Sequence, residues 1–319
     1  MCVAGSFALL FGSCKKNEEV KEVTINLPAF EEEVDARAYI DFANGRTFNW
    51  NANDEVVIYN LDNTDGTQSE KAIFATDASA AGRTMAVFTN TGANLSAKKY
   101  GYFVFYPVSK VSDGALDADN RETFTVADTQ NYTIDLNGTP TVDPESMALA
   151  CELSSLEEGF TLQHIFGTMR IRMNTTQPNT VVTSIVVEDK HYNLSGTVSM
   201  KLHEVKMQSF QDLQNMFVGY DDPESEPTYY GAWDAYRTLL GYSAQGAGKT
   251  ITLDCGEGVE LSTDQPTQFM ISLRPGALKY GYKIYVYVDG VDEPYVFEND
   301  ANWHYGIKAG YNKNMVLDI

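Results

Sequence analysis

The chain has 319 residues, a formal net charge of −21 and a pI near 4.5. Such an acid excess excludes nucleic acid and anionic membrane as main partners, because both repel it. Apolar residues make up 43% and charged residues 21%, an ordinary globular balance that excludes intrinsic disorder, and the 19 Tyr and 16 Phe favour β-structure.

In chain order, the first feature is an apolar run from Val3 to Gly12 that ends in Ser13-Cys14, with every charged residue after it. A run of about ten residues is too short to span a hydrocarbon layer of roughly 30 Å. The stretch Leu10-Phe11-Gly12-Ser13-Cys14, followed by Lys15-Lys16-Asn17-Glu18-Glu19, looks like a bacterial lipoprotein signal. That likeness implies removal of residues 1–13 and a lipid on Cys14, which would hold a water-soluble body at the outer membrane. No Lys or Arg precedes the run, although export signals begin with positive charge, so Met1 is expected to be an internal methionine of a longer product. Removal of 1–13 leaves 306 residues and the whole net charge, a length that suits two domains. Cys2 would leave with the signal, and Cys151 and Cys255 remain. An oxidising compartment permits a bridge between them, but their spacing does not establish one, and two buried thiols are the expectation.

Val23-Thr24-Ile25-Asn26-Leu27 alternates with the period of a half-buried strand. Glu31 to Arg37 reads as an acidic, solvated connection, and Asn44-Gly45 as a tight turn. Thr47-Phe48-Asn49-Trp50 and Asp54 to Tyr59 are strand candidates around an Asn51-Ala52-Asn53 turn. Met85 to Phe88, Tyr100 to Tyr106 and Tyr132 to Leu136 continue the pattern, with Pro107 ending its strand by removing a ladder donor. The polar stretch Ser154 to Gly159 marks a domain boundary near 158.

Beyond it, Leu162 to Met173 places Ile165, Met169, Ile171 and Met173 on one face and His164, Thr168, Arg170 and Arg172 on a wet or intersheet face. Val181 to Val187, Val198 to Leu202, Ile251 to Leu253, Phe269 to Leu273 and Asn312 to Ile319 read as further strands. Tyr282 to Val288, then Asp289-Gly290, then Tyr295-Val296-Phe297 is a hairpin signal. Helical spacing occurs in two places inside one insertion, Ser209 to Phe217 and Ala232 to Leu240. Many short strands without βαβ alternation predict an all-β chain of two antiparallel β-sandwiches, 14–158 and 159–319, with a short helical insertion in the second.

Several motifs occur in a fixed order: Phe48-Asn49-Trp50 before Asp54 to Tyr59, Tyr102 to Pro107, Leu162-Gln163-His164, Phe269 to Pro275, and Lys308-Ala309-Gly310-Tyr311. In this the chain resembles the Bacteroidetes fimbrillin-like family of surface pilins and pilus-associated lipoproteins. The resemblance implies two transthyretin-like sandwich domains and assembly without enzymatic activity. It also implies removal of a first strand by a trypsin-like protease and acceptance of a strand from another pilin subunit. Here the removable strand would be Val20 to Leu27, with cleavage expected after Arg37 and secondarily after Arg46. The last predicted strand would be the donor, or the chain would be a tip or anchor subunit.

Other sites read weakly. Gly248-Lys249-Thr250 lacks the glycine of a phosphate loop, since Ser243 stands there, and His203-Glu204 meets Met207 where a zinc helix has its second histidine. The four histidines are scattered, and the acidic stretches at 62–66 and 117–119 lack calcium-loop register, so no metal or cofactor is expected. Tyr229, Tyr230, Trp233 and Tyr236, with Tyr242, could present an aromatic contact for a host glycan or protein, or simply pack a short helix. No carboxylate pair or activated nucleophile points to an enzyme. The readings carried forward are an adhesive pilus subunit and a monomeric surface lipoprotein that binds a glycan or host protein.

Overall fold

The computed structural model describes residues 21–27, 31–32, 49–60, 70–93, 95, 101–111, 121–135, 138–153, 155–157, 159–201, 248–274, 277–300, 306–307 and 311–319. In its first half the strands are β1 (Glu22–Asn26), β2 (Glu31–Glu32), β3 (Glu55–Asn60), β4 (Lys71–Ala75), β5 (Met85–Asn90), β6 (Tyr102–Tyr106), β7 (Arg121–Val126), β8 (Thr129–Asn131), β9 (Thr133–Ile134), β10 (Pro140–Thr141) and β11 (Leu149–Leu153). The second half adds β12 (Phe160–Thr161), β13 (Gln163–His164), β14 (Gly167–Asn174), β15 (Val181–Asp189), β16 (Gly196–Lys201), β17 (Thr250–Glu260), β18 (Thr267–Leu273), β19 (Tyr282–Val288), β20 (Tyr295–Asn299) and β21 (Tyr311–Asp318). Three short 3₁₀ turns are the helical elements among the described residues, and the expected helical insertion lies outside them.

The first sheet runs β12-β1-β5-β4-β3-β6-β11-β13. Alternate residues of its longer strands, among them Val23, Ile58, Phe74, Phe88, Val104 and Leu149, meet in one hydrophobic cluster, so the sheet curves around its own core. Its two halves differ on the other face. Met85 and Val87 of β5 are exposed, whereas Val57, Tyr59, Phe103 and Phe105 of β3 and β6 are buried there as well. The continuous apolar runs of β3 and β6 reflect that burial on both faces.

A second core lies between two sheets, β18-β14-β21-β2 and β20-β19-β15-β17-β8. Met169, Ile171 and Met173 of β14 face Val182, Ile185 and Val187 of β15 and Ile284 and Val286 of β19 in one cluster, which is sandwich packing. The alternation expected for β14 therefore holds on its apolar face. Its opposite face is not wet, because Thr168, Arg170 and Arg172 are buried too.

The β19–β20 hairpin forms with Val286 opposite Tyr295 and Gly290 at φ +71° in the connection, where a left-handed backbone suits glycine. The eleven-residue β17 carries an irregularity against β15: the register moves from Val182 opposite Val259 to Ser184 opposite Asp254. Gly258 sits in that bulge at φ +104°, and a Cβ there would come within 2.4 Å of the Val181 side chain.

Three expectations shift. Glu31 and Glu32, read as a solvated connection, pair in parallel with Tyr311 and Asn312 of β21, because ladder bonds use backbone groups that any side chain leaves available. Asn49 and Trp50, read as the end of a strand, lie outside any strand, and Trp50 is instead a core anchor. The run from 162 to 173 is broken at Ile165-Phe166, so it supplies one strand to the first sheet and one to the second sandwich. Cys151 and Cys255 are both buried free thiols, and they belong to different cores.

Candidate functional site

The candidate site is the seat of β1 and the cavity at its end. The strand alternates as its sequence dictates: Val23, Ile25 and Leu27 enter the first core, while Glu22 is exposed. On one side it pairs antiparallel with β5, from Glu22 opposite Thr89 to Asn26 opposite Met85. Leu27 N donates to Thr84 O at 2.8 Å and Asn90 N to Lys21 O at 2.9 Å, which extends the ladder beyond both ends.

The other side is held more briefly. β12 pairs in parallel at Ile25–Phe160 and Asn26–Thr161. Asn26 Nδ2 donates to Phe160 O at 3.1 Å, and Leu162 N donates to Asn26 O at 3.0 Å. Trp50 Nε1 donates to Ile25 O at 3.3 Å. The strand is thus bonded along both flanks, with the shorter pairing at its carboxyl end.

Burial sets the scale. Three aliphatic side chains at about 1.5–3 kcal/mol each give roughly 5–9 kcal/mol for the seat, against a typical domain stability of about 5–15 kcal/mol. Loss of β1 without replacement would therefore remove a large part of what holds the first core together. A segment that satisfied the same backbone groups and pockets would restore it.

Past Leu27 the core opens into a cavity of about 130 Å³. Its inner wall is Leu27, Trp50, Val142 and Met147, and Asn49, Asn51, Thr133, Asp135 and Thr141 supply polar lining. Trp50 is fixed edge-on by Phe88 and Tyr106, at ring centroid distances of 4.8 and 5.2 Å. Asp135 Oδ1 accepts from Thr139 N at 2.8 Å and so shapes the β9–β10 turn. Ile134 of β9 lines the cavity and is 55% exposed.

Behind Trp50, Tyr106 and Asp54 are hydrogen-bonded partners, and Asp54 Oδ2 also accepts from Asn51 N at 2.7 Å. Burial raises the Asp54 carboxyl above its ordinary range; the bonds from Asn51 and Tyr106 oppose that rise, and the charge of Glu145 adds to it. Burial and the neighbouring Asp54 charge push ionisation of Tyr106 far up, so its hydroxyl stays protonated.

The residues singled out from sequence fall elsewhere. Cys14, Arg37, Arg46, Tyr229, Tyr230, Trp233 and Tyr236 lie outside the described residues, as do His203, His304 and the acidic stretches at 62–66 and 117–119. His164 is buried, and His191 is exposed with its ring edge-on to Tyr280 at 5.5 Å. Lys249 donates to the Lys190 carbonyl at 3.1 Å, a structural contact. Among the described residues no group of three or more His, Cys, Asp or Glu is placed to hold a metal ion, and no helix is long and apolar enough to cross a membrane. The cavity was not foreseen, because its walls come from 27, 49–51, 106 and 133–147; the one local signal was a tryptophan set between two asparagines.

No family model matches the chain, and no curated protein matches it. Among solved structures, one from Bacteroides uniformis described as a "putative cell adhesion protein" is 15% identical with a TM-score of 0.47, and the match covers 93% of each chain. Another with that description, from Bacteroides ovatus, is 11% identical with a TM-score of 0.47, covering 94% of this chain and 93% of that one. A fimbrial protein from Bacteroides ovatus is 10% identical with a TM-score of 0.31, covering 94% of this chain and 50% of that one.

Proposed function

We propose that the chain is a fimbrillin-like surface subunit that assembles by strand exchange, with β1 as the strand that is given up. The observation that carries this reading is the seat of β1. A short segment fills one continuous groove with Val23, Ile25 and Leu27, and its backbone closes ladders on both flanks. Its departure leaves apolar pockets and unpaired backbone groups in one line, which is what an extended segment of another subunit recognises.

Around this core the remaining assignments fall into place as proposals. The lipid on Cys14 holds the subunit at the outer membrane, and a trypsin-like protease cuts after Arg37, or after Arg46. The two sandwiches are 14–158 and 159–319, the cut takes the segment up to Arg37 or Arg46 from the first, and the assembled product serves adhesion without catalysis. The test is tryptic cleavage of the purified full chain followed by addition of a synthetic peptide of residues 20–27. The reading predicts a discrete product that binds the peptide or polymerises without it. A product that only unfolds and takes up no peptide contradicts it.

The second reading is a monomeric surface lipoprotein that binds a glycan or host protein. It draws on the bonding of β1 along both flanks and on the cavity beside Trp50.

A further inference from the structure

We infer that the open edge of β20 is a docking site for an extended, basic segment of another polypeptide, which joins the second sandwich as an added strand. The first support is how the other sheet edges of that sandwich end. β2 and β8 are only two and three residues long, and at β18 the Gln130 side chain bonds both backbone groups of Ser272. Short length and a covering group are two ways in which proteins blunt an edge. β20 is five residues long, and among the described residues no strand pairs with its outer flank. At about 3.3 Å per residue that leaves roughly 17 Å of edge for a partner.

The second support is the side chains along this edge. Four of the eight large apolar side chains exposed among the described residues, Tyr287, Val291, Tyr295 and Val296, lie on the β19–β20 hairpin. Val296 stands opposite Tyr285 on the outer face, whereas Tyr295 and Phe297 stand opposite Val286 and Ile284, which belong to the core. Phe297 packs on that core yet is only half-buried, and Tyr295 is 37% exposed. The core thus runs out to the edge uncovered, and an added strand would shield it while pairing with the backbone. The guards that keep edges apart are weak here. Pro294 precedes the strand rather than interrupting it, and the charge of Glu298 is offset by Lys190 and by Lys283 at 3.5 Å.

The third support is charge, which selects the occupant. From Ile284 to Asp300 the chain carries Asp289, Asp292, Glu293, Glu298 and Asp300, all exposed, and neither Lys nor Arg. A second copy would bring the same acids and a net charge of −21 to the edge, so repulsion opposes self-pairing. A segment that alternates apolar and basic residues matches instead. Its apolar side chains lie on the core side beside Tyr295 and Phe297, and its Lys or Arg stems cross Val296 with their heads toward the acids. This edge belongs to the second sandwich and is whole in the uncut chain, so the inference stands apart from the fate of β1.

The experiment is amide hydrogen exchange of the uncut full chain, titrated with two synthetic octapeptides, one of Val-Lys repeats and one of Val-Glu repeats. The Val-Lys peptide should bind saturably and slow exchange across Tyr295 to Glu298, and the Val-Glu peptide should bind at least about tenfold more weakly. Val296→Lys, which sets a like charge at an exposed edge position, should weaken the Val-Lys peptide about tenfold with an unchanged unfolding midpoint. Absence of saturable binding up to about 5 mM, equal binding of the two peptides, or binding that Val296→Lys leaves unaltered overturns the proposal. So does slowed exchange confined to segments other than β20. Protection of β20 that rises with protein concentration in the absence of peptide also overturns it, by assigning the edge to a second copy.

Discussion

At the scale of single residues, burial governs titration in both cores. Asp54 has a carboxyl raised by burial above its reference of 3.8, so the folded chain holds that proton more tightly than the unfolded chain. Its contribution to stability is fully present below 3.8 and is lost as pH rises through the folded value. Asp54→Asn keeps an acceptor for the Asn51 N–H and the Tyr106 hydroxyl without the charge. The unfolding midpoint of the variant should fall less between acid and neutral pH than that of the parent, as followed by circular dichroism. An identical pH profile would remove Asp54 from this role. Cys255 follows the same logic, with burial as the main cause of a thiol pushed up to about 12. Trp50 shows where residue-scale reading falls short. Its neighbours suggested the end of a strand, but its place is set by Phe88, Tyr106 and Ile25, three partners scattered along the chain.

At the scale of elements, Gln130 of β8 links the two sheets of the second sandwich. Its Nε2 donates to Ser272 O at 2.8 Å and its Oε1 accepts from Ser272 N at 2.9 Å. One buried amide thus satisfies the outer backbone groups of β18, a strand at the edge of its sheet. Gln130→Leu preserves the volume and orphans both groups, for about 2–4 kcal/mol of destabilisation. Urea unfolding should show that loss, and a change under about 0.5 kcal/mol, the scale of ordinary surface substitutions, would show that water or a local shift satisfies Ser272 instead.

Legibility followed length and pattern. The β19–β20 hairpin could be read because seven alternating residues precede an Asp-Gly turn. β14 could be read because its apolar face has period two. The two-residue strands β2 and β12 could not, since two residues carry no period, and β13 was read only as the start of one longer strand with β14. β4 escaped because Lys71, Ala72 and Ala75 are weak strand formers. The candidate site was half legible: β1 announced itself through alternation, whereas the cavity depends on contacts that only the fold brings together.

At the scale of the whole molecule, the segment that leaves one sheet enters another. β1 ends in the first sheet, and after residues 28–30 the chain pairs through Glu31 and Glu32 with β21 in the second sandwich. From Leu27 to Glu31 the reach is at most about 14 Å, so this segment ties β21 to the edge of the first core. β7 and β8 make a similar crossing: β7 pairs with β16, β8 with β17, and Tyr132 packs on the second core. A cut after Arg37 would release β1 and β2 together and open a groove beside β5 and the flank of β21 that β2 covers. On the strand-exchange reading, neither vacated edge is tolerable for long, because each presents backbone groups that need partners.

The most direct measurement is N-terminal sequencing of the subunit recovered from assembled surface fibres. Strand exchange with β1 as the departing strand predicts a mature end at Ala38, or at Thr47 if Arg46 is the cut. A subunit in fibres that still begins at lipidated Cys14 and retains Val20 to Leu27 would contradict it.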